Sequence, residues 1–145
     1  MLAEHRAEKV RECARVVQKL GGVGALREAV KENVQNAHKI LRRFPSIGEP
    51  GADRILLLLH MKKTLAADSN ALRVLQRTGL IKEQRSYSKT YKSAERAMQR
   101  KLPKGFAALI SAHQSLKVHG QVCSRNNPAC KSCPLDRKCP KRGVT

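Results

Sequence analysis

The sequence predicts an all-α protein, and three observations lead to that prediction. Apolar residues recur at helical spacing, as Val10, Ala14 and Val17 do near the N-terminus. β-Branched residues never alternate cleanly with polar residues over the length of a strand. Helix-ending and helix-starting residues fall between the apolar segments, and the pair Gly21 and Gly22 is one such C-cap signal.

Seven helices are predicted, over residues 5–19, 25–32, 34–43, 51–62, 69–78, 86–100 and 104–119. Asp68 stands where the N-cap of the fifth helix is expected, and Pro103 is expected to open the seventh. Tyr87 and Tyr91 share one face of the sixth helix, a spacing more typical of core packing than of base stacking. The last six residues, PKRGVT, are interpreted as a loose tail.

The charge of the chain indicates the kind of partner it binds. Thirty Lys and Arg residues against eleven Asp and Glu residues leave a net charge of +19 over 145 residues. Nucleic acid is the expected partner of such a charge. An anionic membrane surface is the competing interpretation, but the basic residues are spread along the whole chain rather than beside one apolar face. Because there is no run of about 18 apolar residues, no membrane span is predicted.

Four cysteines near the C-terminus have the spacing C-x6-C-x2-C-x5-C: Cys123, Cys130, Cys133 and Cys139. Four thiolates this close in sequence can surround one metal centre, and soft sulfur ligands select zinc or iron–sulfur chemistry. A zinc site of four cysteines usually contains two C-x2-C pairs, whereas only one is present here. The spacing therefore favours an iron–sulfur cluster, with a zinc knuckle and a disulfide pair as the alternatives.

The fifth cysteine and the N-terminus complete this interpretation. Cys13 is too far in sequence from the other four to be a presumed ligand, so it is expected to be a buried small apolar residue. The N-terminus has the pattern of an amphipathic helix rather than that of a signal peptide. Reduced cysteines without an export signal predict a cytoplasmic protein.

A second motif lies at residues 40–60, where two helical segments flank a tight turn with the sequence PSIGEPG. Gly48 can take a positive φ and bring backbone N–H groups close to an anion. The helix that follows adds the positive end of its dipole. Such a hairpin can hold a phosphate through main-chain groups without contacting a base. The same segment is also compatible with an ordinary αα-hairpin.

Together, these motifs resemble the helix-hairpin-helix DNA glycosylases of the endonuclease III type that carry a C-terminal iron–sulfur loop. The segment FPSIGEPGA (44–52) resembles the hairpin of that family, and ADSNALRVLQR (67–77) is similar to the segment that holds its catalytic aspartate. The cysteine spacing matches the cluster loop of the family without gaps. The resemblance covers residues from about 5 to 140 and implies a partial helix-hairpin-helix glycosylase fold.

The resemblance implies a role for each matching position. Asp68 would be the catalytic carboxylate, which stabilises positive charge at the sugar C1′ as the base leaves or activates a water. It can be the N-cap of its helix at the same time. A phosphate of duplex DNA, with a monovalent cation on the hairpin carbonyls, would be held by Pro45, Ser46, Ile47, Gly48 and Gly51. A 4Fe-4S cluster would be ligated by Cys123, Cys130, Cys133 and Cys139.

Two positions depart from the family. Bifunctional members carry a lysine in the hairpin helix that attacks C1′ as a Schiff-base nucleophile, and the matching residue here is Pro50. Lys62 and Lys63 lie roughly three helical turns of about 5.4 Å further along, so they are not expected to replace it. Ser46 stands at the usual first glycine of the hairpin.

These departures predict a monofunctional N-glycosylase, which extrudes a damaged or mismatched base and hydrolyses its glycosidic bond. The alternative is a non-catalytic DNA-binding iron–sulfur module with an incomplete base pocket. Either protein would work in the cytoplasm, in association with the nucleoid.

The resemblance also predicts the domain organisation. The first half of the family's helical barrel precedes the region where this chain begins. Residues 1–64 are therefore expected to form the second half of the barrel, and residues 65–145 the cluster domain with its loop at 123–139. The apolar run at residues 55–59 is then incompletely covered. A homodimer or a complementing chain is expected to cover it.

Overall fold

A computed structural model describes residues 2–144, and these residues form helices without a strand. The α-helices are α1 (Leu2–Lys19), α2 (Gly22–Glu32), α3 (Val34–Leu41), α4 (Glu49–Leu58), α5 (Ser69–Arg77), α6 (Tyr87–Met98) and α7 (Phe106–Val122), followed by one 3-10 turn, Cys130–Ser132. The all-α prediction is confirmed. Within residues 2–144, no helix is both long enough and apolar enough to cross a membrane.

The chain divides into two compact units, Met1–Lys62 and Lys63–Thr145. The first unit contains α1 to α4, and the second contains α5 to α7 and the cysteine loop. The assignment of residues 1–64 to half of a barrel and of residues 65–145 to a cluster domain stays a prediction, because compactness alone does not test it.

The core of the first unit is apolar and comes from α2, α3 and α4. Its buried members are Val30, Ala37, Ile40, Leu41, Ala52 and Leu56. Helix α1 contributes less, because Val10 is 70 % exposed. Cys13 is half-buried rather than buried as predicted, since the face of α1 that carries it is only partly covered.

Helix α4 ends four residues earlier than predicted, at Leu58. The cause is a backbone closure in which Met61 N donates to Leu56 O (2.8 Å) and His60 N donates to Leu57 O (3.0 Å). His60 takes a left-handed φ of 56°, the conformation that ends many helices and is usually supplied by glycine. The sequence offers no glycine here, so the helix end could not be predicted from a C-cap signal.

The apolar run of α4 is incompletely covered within the chain, as expected. Leu56 and Leu57 are fully buried. Leu58 is 50 % exposed and Leu59 is 53 % exposed. Two adjacent exposed leucines form a small apolar patch on the first unit.

The core of the second unit lies between α5, α6 and the segment that precedes α5. Its buried members are Leu65, Ala67, Ala71, Leu72, Leu75, Ile81, Tyr91, Ala94 and Met98. Tyr91 is 2 % exposed but Tyr87 is 49 % exposed, so only one of the two tyrosines packs in the core as predicted. Tyr87 opens α6, where the helix begins to emerge from the core.

Helices α5 and α7 approach each other closely at Gly120. A Cβ atom at this position would lie 2.6 Å from the carbonyl oxygen of Asn70, far inside van der Waals contact. Glycine is therefore required at this crossing. Helix α7 starts at Phe106 with Gly105 as its N-cap, so Pro103 precedes the helix instead of opening it as predicted.

The end of the chain is not the loose tail that the sequence suggests. Lys141 Nζ lies 2.7 Å from Asp136 Oδ1. The backbone N–H of Arg142 donates to the carbonyl oxygen of Arg77 at the end of α5 (3.2 Å). Residues up to 144 are thus held against the second unit, and Thr145 lies outside the described residues.

Candidate functional site

The turn between α3 and α4 takes its shape from Ser46. Ile47 N donates to Phe44 O (3.2 Å), which closes a four-residue turn with Pro45 second and Ser46 third. Ser46 has a φ of 66°, whereas Gly48 is extended with φ −84° and ψ −173°. Gly48, which as a glycine can take a positive φ, therefore does not do so here, and Ser46 takes it instead. Proline second and positive φ third are the features of a type II turn.

Serine at the left-handed position of this turn carries a conformational strain that glycine would avoid, of about 1–2 kcal/mol. The turn keeps its place through apolar contacts. Phe44 and Ile47 are both half-buried against the core of the first unit. Pro45 is half-buried and Ser46 is exposed, so the tip of the turn faces solvent.

The N-terminus of α4 offers free backbone donors. Within residues 2–144, the N–H groups of Gly48 and Gly51 have no hydrogen-bond acceptor. Pro50, which lies between these two glycines in the first turn of α4, has no N–H group. Free N–H groups at the positive end of a helix dipole are a common anion-binding arrangement. The carboxylate of Glu49 in the first turn opposes an anion, which limits the strength of this site.

Lys62, which follows the end of α4, is engaged in an ion pair. Lys62 Nζ lies 2.6 Å from Asp53 Oδ1. The side chain of Asp53 is 2 % exposed, and His38 Nε2 lies 3.2 Å from the same oxygen. Lys62 is thus the counter-ion of a buried carboxylate.

In the second unit, Asp68 caps α5, as predicted. Its Oδ1 accepts hydrogen bonds from Asn70 N and Ala71 N, both 3.0 Å long. The other carboxylate oxygen, Oδ2, accepts no hydrogen bond from the described residues. The side chain is half-buried. One oxygen thus fixes the carboxylate, and the other is left to interact with a positive charge.

The segment before Asp68 is held rigidly in the core of the second unit. His113 Nδ1 lies 3.1 Å from Leu65 O. Thr64 Oγ1 donates to Glu95 Oε2 and accepts from Ala66 N. Ala66 is fully buried with a left-handed φ of 50°, a conformation that only the surrounding contacts can maintain. These contacts orient the carboxylate that follows.

The electrostatic neighbourhood of Asp68 includes Tyr87. Burial raises the pKa of the Tyr87 phenol above its ordinary value of 10.0, and the negative charge of Asp68 raises it further. The phenol is therefore protonated at neutral pH and can donate a hydrogen bond near the carboxylate.

The four cysteines of the C-terminal loop line one cavity of about 520 Å³. Each is half-buried and none forms a disulfide: Cys123, Cys130, Cys133 and Cys139. Three of the sulfurs accept an N–H hydrogen bond: Cys123 from Arg77 Nη1 (3.1 Å), Cys133 from Leu135 N (3.4 Å) and Cys139 from Lys141 N (3.4 Å). N–H donors directed at sulfur are a common surrounding of metal-ligating cysteines.

The cavity also contains a histidine and apolar side chains. His119 Nε2 lies 3.7 Å from Cys133 Sγ. Val118, Val122 and Leu135 line the same space. Within residues 2–144, no group of three or more His, Cys, Asp or Glu residues meets the arrangement needed for a single metal ion.

Comparison with known proteins identifies relatives of one kind. No protein-family model matches the chain. Endonuclease III of Thermotoga maritima is 26 % identical over 135 residues, which cover 92 % of this chain and 56 % of the relative. Endonuclease III of Rickettsia prowazekii is 29 % identical over 108 residues, which cover 74 % of this chain and 48 % of the relative. Endonuclease III of Buchnera aphidicola subsp. Schizaphis graminum is 31 % identical over 100 residues, which cover 68 % of this chain and 44 % of the relative.

The chain belongs to the helix-hairpin-helix DNA glycosylase superfamily. It spans about half the length of the curated relatives it matches. The helical architecture agrees with this superfamily, and the resemblance drawn from the hairpin and the aspartate segment is confirmed at the level of the family. The roles of individual residues stay predictions.

Sequence analysis missed two arginines that organise the second unit of this superfamily member. Arg77 is 6 % exposed. Its guanidinium donates to the carbonyl oxygens of Cys123, Ser124 and Arg125, over 3.1, 2.7 and 3.0 Å. Since these residues begin the cysteine loop, Arg77 fixes where the loop leaves α7.

Arg73 connects the loop to the cap of α5. Its Nε donates to Cys123 O (2.8 Å), and its Nη2 donates to Gly120 O (2.8 Å) and to Asn70 Oδ1 (2.6 Å). The backbone N–H of Asn70 in turn binds Asp68. A continuous chain of hydrogen bonds therefore joins the aspartate to the first cysteine. The sequence signal was two arginines four residues apart, on one face of a short helix that also carries Ala71, Leu72, Val74 and Leu75.

Proposed function

We propose that this chain is a base-excision repair protein of the endonuclease III type that acts as a monofunctional DNA N-glycosylase. The observation that carries the proposal is the geometry of Asp68, which is fixed through Oδ1 and free at Oδ2. Endonuclease III relatives support the same class of protein.

In the proposed reaction, Asp68 acts on the sugar of an extruded nucleotide. Departure of the base leaves C1′ with oxocarbenium-like positive charge, which a nearby carboxylate stabilises. A water then attacks C1′, with the carboxylate available to accept its proton. Pro50 stands in the position of the lysine nucleophile, so the product is an intact abasic site.

The hairpin of the first unit is proposed to hold a phosphate of duplex DNA. The free N–H groups of Gly48 and Gly51 and the solvent-facing turn at Ser46 support this assignment. Pro45 and Ile47 shape the turn instead of contacting the phosphate directly. A monovalent cation on the turn carbonyls would offset the charge of Glu49 and that of the phosphate.

The cysteine loop is proposed to hold a 4Fe-4S cluster. The fit rests on four thiols around one cavity and on the N–H donors directed at three of them. When bound, the cluster supplies cross-linking of a loop that has almost no apolar core of its own. Exposed basic residues of the loop are then presented to DNA: Lys131, Arg137 and Lys138.

The experiment that tests the activity separates the two roles of Asp68. Asp68→Asn and Asp68→Ser keep an N-cap for α5 but remove the carboxylate. Both are expected to retain the fold and to lose release of free base from lesion-bearing duplex by at least about 100-fold. The matched control is Glu12→Gln, which removes an exposed carboxylate of α1, far in sequence from Asp68. Equal base release by wild type and both Asp68 variants would refute the assignment.

A second candidate is a non-catalytic DNA-binding iron–sulfur module. The exposed Leu58 and Leu59 favour it, since an apolar surface without cover is also expected where the base pocket is incomplete. A homodimer or a complementing chain would cover these leucines, and in that case activity requires the assembly. Binding of duplex without base release from any common lesion selects this candidate. Either function implies a nucleoid-associated protein of the cytoplasm.

A further inference from the structure

The second unit contains a polar groove that none of the assigned roles uses. It has a volume of about 730 Å³ and lies between α5, the start of α6, the first residues of the cysteine loop and the end of the chain. We call it the basic groove, after its five cationic side chains: Arg73, Arg77, Lys82, Arg125 and Arg142. The single carboxylate in its lining is that of Glu83.

The positive charge of the basic groove is not neutralised by carboxylates. Arg73 donates to backbone carbonyls and to one amide, which satisfy its hydrogen bonds but leave its charge. Arg77 donates to backbone carbonyls and to the sulfur of Cys123, which as a thiolate would offset part of the Arg77 charge. Among the described residues, Lys82, Arg125 and Arg142 have no ion-pair partner, and all three are exposed. An excess of unpaired positive charge in a concave surface attracts an anion.

The groove is also built to hold a ligand in one place. Arg77 is 6 % exposed and is fixed by its bonds to the loop carbonyls. Buried Leu72 and Ile81 form part of the floor, where a low dielectric strengthens interactions between charges. Guanidinium groups recognise phosphate oxygens through paired N–H donors.

The rim of the groove points to a phosphate that carries a nucleoside. Tyr87 lines it and is 49 % exposed, and an exposed tyrosine ring is a surface on which a base can stack. Ser69, which directly follows Asp68, lines the same groove. The lining of the groove therefore begins one residue after the carboxylate assigned to base removal.

We propose that the basic groove is a second phosphate-binding site, distinct from the hairpin, and that it holds the phosphodiester backbone of DNA. The choice of DNA as the source of the phosphate rests on the proposed function, whereas the affinity for phosphate rests on the groove alone. Its contribution to DNA binding is electrostatic and independent of base sequence.

The first arm of the test measures DNA affinity against salt. The groove variant is Lys82→Ala, Arg125→Ala and Arg142→Ala together, which removes only exposed side chains. The matched control is Arg100→Ala, Lys101→Ala and Lys104→Ala, which removes the same charge from exposed positions outside the groove. Each phosphate contact contributes about 0.9 to the slope of log K against log salt. The slope is negative, and that of the groove variant is expected to be shallower than that of the control by about 1–2.

The second arm titrates the 145-residue chain with thymidine monophosphate at constant ionic strength and follows backbone amides by NMR. Shifts at Gln76, Lys82 and Asn126 that disappear in the groove variant support the site, even if the wild type fails to bind duplex and the glycosylase proposal falls. Such shifts with equal DNA slopes in both variants overturn DNA as the source and leave a free nucleotide as the ligand. Equal slopes without any groove shift overturn the proposal.

Discussion

Arg77 on α5 donates a hydrogen bond to the sulfur of Cys123 at the end of α7, over 3.1 Å. The same guanidinium also binds three consecutive carbonyls at the start of the cysteine loop. A buried arginine without a carboxylate partner is unusual, since its charge is normally paired. A thiolate at Cys123 would provide the missing negative charge, so the loop and the arginine stabilise each other when the sulfur is ionised.

Replacement of Arg77 is expected to destabilise the second unit. Arg77→Ala leaves buried carbonyls without a donor, at about 1–3 kcal/mol for each group that water cannot reach. Arg77→Lys keeps the charge but lacks the planar fork, so an intermediate loss is expected. Denaturant unfolding and iron content measure the effect. The control is Arg96→Ala on the exposed face of α6, and equal loss in both alanine variants would contradict the prediction.

Gly120 provides a test of the packing between α5 and α7. Gly120→Ala places a Cβ atom 2.6 Å from the carbonyl oxygen of Asn70, so the two helices must separate. Overpacking of this kind typically costs about 1–3 kcal/mol. Gly24→Ala is the control, since a Cβ there meets no atom within 4 Å. Removal of a glycine from an exposed position of α2 should raise the free energy of unfolding by about 0.5–1 kcal/mol. A Gly120→Ala variant as stable as wild type would disprove the close crossing.

The pKa of Tyr87 reports on the surroundings of Asp68. Burial is the larger cause of the raised pKa and the Asp68 charge is the smaller one. Ultraviolet titration, with Tyr87→Phe to identify the signal, should give a midpoint above 10.0, and Asp68→Asn should lower it without restoring the ordinary value. Because the folded-state pKa is raised, the protonated phenol stabilises the fold below the unfolded pKa. That contribution is lost as the pH rises through the folded pKa.

The sequence predicted the helices and the cap at Asp68 because both depend on residues close in the chain. Helical spacing places α5 correctly, and an aspartate before it supplies the cap. The turn could not be predicted in detail, since the closure between Phe44 and Ile47 puts the positive φ at a serine. The contacts of Arg77 were also out of reach, because its partners are 46–48 residues away in sequence.

The metal assignment predicts a common effect for four residues. Alanine at Cys123, Cys130, Cys133 or Cys139 should remove iron and expose residues 120–140 to protease, because cluster binding replaces an apolar core in this loop. Cys13→Ala is the matched control and should retain the metal, since Cys13 lies on α1 in the other unit. Elemental analysis of protein prepared without oxygen decides the question. A protein that contains zinc and no iron would contradict the cluster and identify the loop as a zinc site.

The last prediction concerns the chemistry that Pro50 excludes. Without an amine at this position no imine can form there with C1′, so borohydride should trap no covalent protein–DNA adduct. A released base should leave an abasic site that is cleaved only after hot alkali. A bifunctional endonuclease III treated in parallel shows that trapping works under the same conditions.

Lys62→Ala and Lys63→Ala test the neighbouring amines. Lys62 is paired with buried Asp53, and Lys63 Nζ lies 5.6 Å from the ring centre of Phe106, so each amine already has a structural contact. Neither variant is expected to change the product of the reaction. Efficient trapping that survives both substitutions would place the nucleophile elsewhere in the chain. Trapping that is lost in only one of them would identify that lysine as the nucleophile and make the protein bifunctional.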